Sequence, residues 1–233
     1  MSRASGLYRL QEIDRESDRL NGRLEQIRIT LEDSSEIAQL KADLDARDTA
    51  TAATITAAKH AENEAEDQRL KLQNTEQALY GGSVNNPKEL EDLQMEAESL
   101  KRHLETLEDR YLAVMLEQEE AEIEQDQSSV SLDAAKDRQA DLHAELVSER
   151  EGIDQRLANL DTEREAALAS ITDEDLGTYQ KLRTQLGGVA IVILDGDSCS
   201  ACGLKLPASS RQIVSSGDEL IRCGQCSRIL YGG

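Results

Sequence analysis

Four cysteines, Cys199, Cys202, Cys223 and Cys226, are the only thiols in 233 residues, and all lie near the C-terminal end. They form two C-x2-C pairs with twenty residues between them. A C-x-x-C turn sets two sulfurs on one side of a metal and aims backbone amides at them. Two such knuckles close a tetrahedral four-sulfur site. The soft donors and the paired-knuckle spacing select one structural Zn2+ over an iron–sulfur centre. A redox C-x-x-C would need a thioredoxin-like βαβ setting, which the flanking sequence lacks. Two disulfides would need an exported chain, and residues 1–20 are charged without a leader's apolar core. Four protein ligands leave no position for water or substrate, so the expected zinc is structural rather than hydrolytic.

Around the cysteines stand Lys205, Arg211, Arg222 and Arg228, with Tyr231 as the nearby aromatic. Two readings are open for them. They offset the doubly negative zinc–tetrathiolate centre and keep the module soluble, or they form a small face for RNA, DNA or an acidic partner. Four bases and one tyrosine make a thin nucleic-acid signature, and the composition favours the first reading.

The elements that must carry this module are long helices. Apolar residues recur in steps of three and four from Leu10 through Leu20, Leu24, Ile27 and Leu31, and again from Leu90 through Leu100, Leu104, Leu107, Val114 and Leu132 to Leu146. A seven-residue period held this long is the mark of a coiled coil. Between the repeats lies YGGSVNNPKEL. Gly81 and Gly82 end the first helix, Asn86 caps the next, Pro87 suits its first position, and Glu89 completes an N-x-x-E capping box. The chain therefore reverses, and the two helices pair as an antiparallel hairpin with its tip at 80–87.

With the turn centred near residue 83 or 84, residue numbers across the seam should total about 167. The small-residue stretch 51–65 then faces 102–116, and Ser34 faces the polar belt 125–131 and Leu132. A kink or joint is expected at that level, because no apolar seam holds it straight. Residues beyond about 166 are left without a partner in the chain. Thr172 caps a short helix to Leu186, ended by Gly187 and Gly188, and the β-branched run GVAIVIL reads as a buried strand leading into the module. The expected division is a hairpin over 1–171, a connecting helix over 172–186 and a four-cysteine zinc ribbon over 187–233. The fold class is mainly α with a small C-terminal β ribbon.

Charge sets limits on partners. From residue 187 onward four bases balance Asp195, Asp197, Asp218 and Glu219, so the whole net charge of −21 lies in the helical part. Such a surface repels nucleic acid and anionic membrane. The longest apolar run, VAIVIL, is far too short to span a bilayer. A cytoplasmic protein is expected, with no membrane association. There is no phosphate-binding G-x-x-x-x-G-K-[ST], no G-x-G-x-x-G and no G-x-S-x-G, and DGD at 195–197 reads as a turn rather than a calcium loop. The three histidines, His60, His103 and His143, are scattered along the helices. No catalytic residues are assigned.

Three stretches carry a resemblance: YGGSVNNPKELEDLQMEAESLKRHLETLED at the tip, GGVAIVILDGDSCSACGLKLP, and LIRCGQCSRILYGG. Together they are similar to the bacterial zinc-ribbon proteins of the four-cysteine type with an N-terminal coiled-coil hairpin. The resemblance places Cys199, Cys202, Cys223 and Cys226 on the family's metal ligands and Arg228 to Tyr231 on its characteristic ending. Where that family usually shows C-P-x-C-G, this chain has Cys223-Gly224-Gln225-Cys226-Ser227. Some members are linked to flagellar or type III secretion systems, which implies action through protein or RNA binding. The expected function is a non-enzymatic adaptor or chaperone-like protein for protein partners, a second copy of the chain among them. The alternative is a nucleic-acid-binding regulator acting through residues 187–233. Asn85, Asn86, Pro87, Lys88 and Glu89 are candidate tip contacts, with a simple helix-reversal turn as the plainer account of them.

Overall fold

The heptad pattern gives paired long helices, and side-chain caps at Asn86 and Thr172 mark the starts of two of the helices. The computed structural model describes residues 2–217 and 219–233. Among them run α1 (Arg3–Glu32), α2 (Ser35–Tyr80), α3 (Pro87–Leu168), α4 (Asp173–Gln185), β1 (Ile191–Asp195), β2 (Ser198–Cys199), α5 (Ala208–Ser216) and β3 (Ile229–Tyr231). The chain divides into two compact units, Met1–Glu32 with His143–Gly233, and Asp33–Leu142.

In the second unit α2 and the first part of α3 lie antiparallel within one chain. Gly82 takes the left-handed turn at φ +73°, and the Asn86 side-chain oxygen accepts from the Lys88 amide at 3.1 Å to cap α3. Among the described residues Glu89 makes no return bond, so the cap is one-sided rather than a full box. Ala58, Ala61, Ala65, Leu72 and Leu104 are buried along the seam.

The register differs from the simple fold-back. Thr51 donates to the Ala121 carbonyl at 3.2 Å and Ser128 to Asp43 at 2.8 Å, so residue numbers across the seam total 172 and 171. Nearer the tip, Gln68 donates to the Leu100 carbonyl at 3.2 Å, a total of 168. The loop only bounds the register; interdigitation of side chains sets it, in steps of up to a helical turn. The stretch 51–65 therefore faces about 105–121, a few residues beyond the expected 102–116. Met115, expected in the seam, is 43% exposed.

The joint expected near Ser34 is present in the first arm, where α1 and α2 are separate helices. Asp33 accepts from the Ser35 amide at 2.9 Å, and Ser34 leaves helical geometry at φ −120°, ψ 16°. The second arm is unbroken through 125–131. The residue facing Asp33 is Gln139, which donates to its carbonyl at 3.2 Å, not the polar belt.

In the first unit α1 packs along the last part of α3, with Ile13 against Leu160 and Ala167, and Ile27 against Leu146 and Ile153. The end of α3 is not left bare as expected. The chain after Leu168 turns back over α1. Arg3 grips Asp175 with two bonds of 2.9 and 2.6 Å, and Thr172 caps α4 by accepting from the Asp175 amide at 3.3 Å. Asp173, Glu174 and Asp175 in the first turn complement the helix dipole. Gly187 and Gly188 both adopt positive φ after α4.

β1 forms the centre of a small sheet in the order β2-β1-β3, antiparallel to β2 and parallel to β3. The DGD segment is the β1–β2 turn, with Gly196 at φ +60°. Leu7 and Leu10 of α1, Tyr179 and Leu182 of α4, and Ala190, Ile191 and Ile229 make one core. The ribbon thus shares its interior with the first helix.

One polar side chain inside that core was not singled out by sequence. Gln11, 1% exposed, accepts from the amides of Ala190 and Ile191, both at 2.7 Å, and donates to the Ile191 carbonyl at 2.8 Å. Nearby, buried Asp14 accepts from the Tyr179 hydroxyl and from Arg164, each at 2.8 Å. Burial, reinforced by this bond to Asp14, pushes the Tyr179 phenol well above its ordinary range. Gln11→Leu keeps the volume but strips two amides and a carbonyl of their partner. It should cost roughly 2–5 kcal/mol, read as a lowered urea midpoint with little change in slope.

Candidate metal centre

The two knuckles are copies of one backbone motif. In the first, the Cys199 amide donates to Leu204 O at 2.9 Å and the Gly203 amide to Cys199 O at 2.8 Å. In the second, the Cys223 amide donates to Arg228 O at 2.8 Å and the Ser227 amide to Cys223 O at 2.9 Å. Each pair folds the chain so that both sulfurs leave on the same side. The residue after the second cysteine must then turn left-handed. Gly203 does so at φ +73° and Ser227 at φ +61°. Ser227 is the one non-glycine with positive φ among the described residues.

The four sulfurs lie within 4.8 Å of one another. Cys199 Sγ is 3.8 Å from Cys226 Sγ, and Cys202 Sγ is 3.6 Å from Cys223 Sγ. A tetrahedron with zinc–sulfur bonds of about 2.3 Å has edges of about 3.8 Å, so the sulfurs already stand where a Zn2+ would hold them. Cys199 and Cys223 are buried and Cys202 and Cys226 half-buried, packed with Val192, Val214 and Leu230. This donor set fits one structural zinc, and no coordination position is left for a reacting group.

Their electrostatics favour a cation. At Cys223, burial opposes ionisation, but the amides of Cys226 and Gln225 and the thiols of Cys202 and Cys226 outweigh it and bring the thiol down to about 7. At Cys202 the Leu204 amide favours the thiolate, yet burial and the three other thiols push it up to about 12. Burial also raises Cys199, against the pull of the Ala201 and Cys202 amides. One thiol gives up its proton readily and its neighbours then resist, until a dication neutralises the cluster.

The basic residues of the ribbon differ in how far they are free to meet a partner. Lys205 is exposed and 3.4 Å from Asp197. Arg211 is half-buried on α5 and Arg222 is exposed. Arg228 points inward, donating to the carbonyls of Val189 at 3.0 Å and Leu186 at 3.4 Å, where it ties the end of α4 to β1. Tyr231 lies against Tyr8 of α1 with ring centroids 5.0 Å apart. Asn85, Asn86, Pro87, Lys88 and Glu89 are exposed at the hairpin tip, with Asn86 engaged as the α3 cap. The sequence signal for Gln11 and Tyr8 was faint: a polar residue on the apolar stripe of α1, and an aromatic in a chain nearly devoid of them.

Comparison with known proteins matches this architecture on both parts. The model of the CT398-like coiled coil hairpin domain matches residues 10–187, and that of the C4-type zinc ribbon domain matches residues 198–230. An uncharacterized protein of Mycobacterium tuberculosis, Rv2229c, is 26% identical over 230 residues, covering 94% of this chain and 82% of its own. Among solved structures, CT398 from Chlamydia trachomatis superposes with a TM-score of 0.66 at 17% identity, over 98% of both chains. A Mycobacterium smegmatis protein superposes with a TM-score of 0.61 at 22% identity, over the full length of both.

Two outcomes follow for the metal. Zinc must displace thiol protons, so its affinity should fall as pH drops from 8 to 6, checked by competition with a colorimetric chelator. Because the ribbon shares a core with α1, Cys223→Ser should speed amide exchange in residues 7–14 as well as in the ribbon, while residues 58–72 stay protected. In the second knuckle, Ser227→Gly removes the left-handed strain and should raise the ribbon's stability by about 1 kcal/mol, measured by thermal melting of the zinc form.

Proposed function

The chain belongs to the family of CT398-like coiled coil hairpin domains with a C4-type zinc ribbon, and on that premise we propose that it is a non-catalytic adaptor that works by binding proteins. The observation that carries this reading is the closed sulfur site: all four thiols converge on one point and none remains for chemistry. The zinc fastens the ribbon, the ribbon's core fastens α1, and the helical surface is what the molecule offers to others. In this reading residues 1–171 are the hairpin, 172–186 the link and 187–233 the ribbon. No helix among the described residues is long and apolar enough to cross a membrane. The reading places the protein in the cytoplasm, where reducing conditions keep thiols available to zinc.

The alternative, a nucleic-acid regulator acting through the ribbon, draws its support from exposed Arg222 and half-buried Arg211. Several features weigh against it. Arg228 is spent on backbone carbonyls, Lys205 pairs with Asp197, and Tyr231 is stacked on Tyr8 rather than free to receive a base. In-cell crosslinking of the zinc-loaded full chain separates the two. A protein adduct that survives nuclease treatment is expected. Recovery of RNA or DNA alone, lost in Arg222→Glu and weakened by salt, would overturn the adaptor reading in favour of the regulator.

A further inference from the structure

The outer face of α3 carries an apolar stripe that stays exposed among the described residues. Leu112, Met115, Leu116, Ile123 and Val130 are 43–68% exposed. The same stretch of helix turns a different set of side chains to the seam: Tyr111, Val114, Gln118, Ala121, Gln125 and Ser128, all half-buried. Leu116, Ile123 and Val130 are seven residues apart, a step that returns to nearly the same side of a helix, and Leu112 precedes Leu116 by one turn. They form one line of about 27 Å on the side away from the seam. Scattered exposed hydrophobics need no explanation, but a row that recurs on one side of a helix every second turn marks a contact surface. In a two-helix coil this is the position where water is the expected neighbour.

The rim of the stripe says what would cover it. Glu117, Glu120 and Glu124 flank the Leu116–Ile123–Val130 row on one side; on the other, Glu119 and Asp126 continue the row begun by Leu112, and Glu122 that of Met115, by the seven-residue repeat. Between Arg110 and Lys136 the helix has no basic residue. Of the six acids, Glu124 alone forms an ion pair among the described residues, with Arg47; Glu122 accepts from Gln118 at 2.7 Å. An apolar row bordered by carboxylates, five of the six outside any ion pair among the described residues, repels an anionic membrane. It also repels a second copy of itself, because a face-to-face dimer would set carboxylates against carboxylates.

From this geometry we infer that the α3 stripe Leu112–Val130 is the docking site for a cationic amphipathic helix of a partner protein. That helix would present apolar residues in heptad steps, bordered on both sides by lysine or arginine. The apolar row supplies burial and the acidic rows supply orientation and selectivity. This deepens the adaptor reading and rests on it, by naming the surface and the chemistry of its occupant.

The test uses the zinc-loaded full chain and a fluorescein-labelled synthetic 22-residue peptide with Leu at heptad a and d positions and Lys on the flanks. A scrambled peptide of the same composition is the control. Anisotropy should show the patterned peptide binding at least tenfold more tightly than the scrambled one. Leu116→Gln with Ile123→Gln should weaken it about tenfold. Glu119→Gln with Glu120→Gln should weaken it and flatten its salt dependence. All four positions are exposed, so unchanged helical circular dichroism and melting temperature show the variants folded. Equal binding of the two peptides, or an unaffected apolar double variant, would overturn the assignment. So would sedimentation showing a dimer that the double variant dissociates, since a second copy would then be the occupant. The crosslinking above keeps the two readings apart. A protein adduct retained in the double variant leaves the adaptor reading standing and removes the stripe from it, whereas no protein adduct at all removes the adaptor reading.

Discussion

A single buried amide holds the first unit together. Gln11, two turns into α1, presents its side-chain oxygen to the successive amides of Ala190 and Ile191 and its nitrogen to the Ile191 carbonyl that follows them. It behaves as a short length of neighbouring strand supplied by a helix. Without it the start of β1 would carry unmet polar groups into an apolar core, at a cost the small ribbon has little means to offset. The parallel pairing with β3, the stacking of Tyr231 on Tyr8 and the inward turn of Arg228 all depend on β1 lying where Gln11 holds it.

The zinc centre works on the same principle at another scale. A module with so few large side chains cannot fill a core of its own. It borrows Leu7, Leu10, Tyr179 and Leu182 from the helices on one side and closes on sulfur on the other. Four converging thiols are an unfavourable arrangement without a cation, since each ionisation opposes the next. A dication that replaces the thiol protons offsets that repulsion and ties the four sulfurs into one unit. The cost of tolerating Ser227 at positive φ is absorbed within the same motif, where its amide still closes the second knuckle.

The second unit relies on a different economy. Alanines and a few leucines fill its narrow seam, polar side chains such as Gln68 and Thr51 reach across to backbone carbonyls, and ion pairs span its flanks. Exposed pairs of this kind add little stability each, yet they fix direction and register. With so thin a core the hairpin leaves much of its apolar content outside the seam. That leftover surface is the part of the molecule that folding does not explain and contact does.

Spacing alone determined the zinc site, the hairpin and its turn, and the capped α4, because each depends on residues close in sequence or on a strict period. Local chemistry of this kind survives any tertiary context: two C-x-x-C turns, Asn86 before Pro87, Thr172 before three acids. Tertiary structure decided the rest. The seam register slid by up to a turn because side-chain packing, not loop length, sets it. The tail of α3 found cover because Asp175 lies within reach of Arg3, residues 172 positions apart. Gln11 looked like one more polar residue on a coiled-coil helix, and Arg228 like a surface charge, because a hydrogen bond to a distant backbone group leaves no periodic trace. What one residue does for another far along the chain is written in the packing that brings them together.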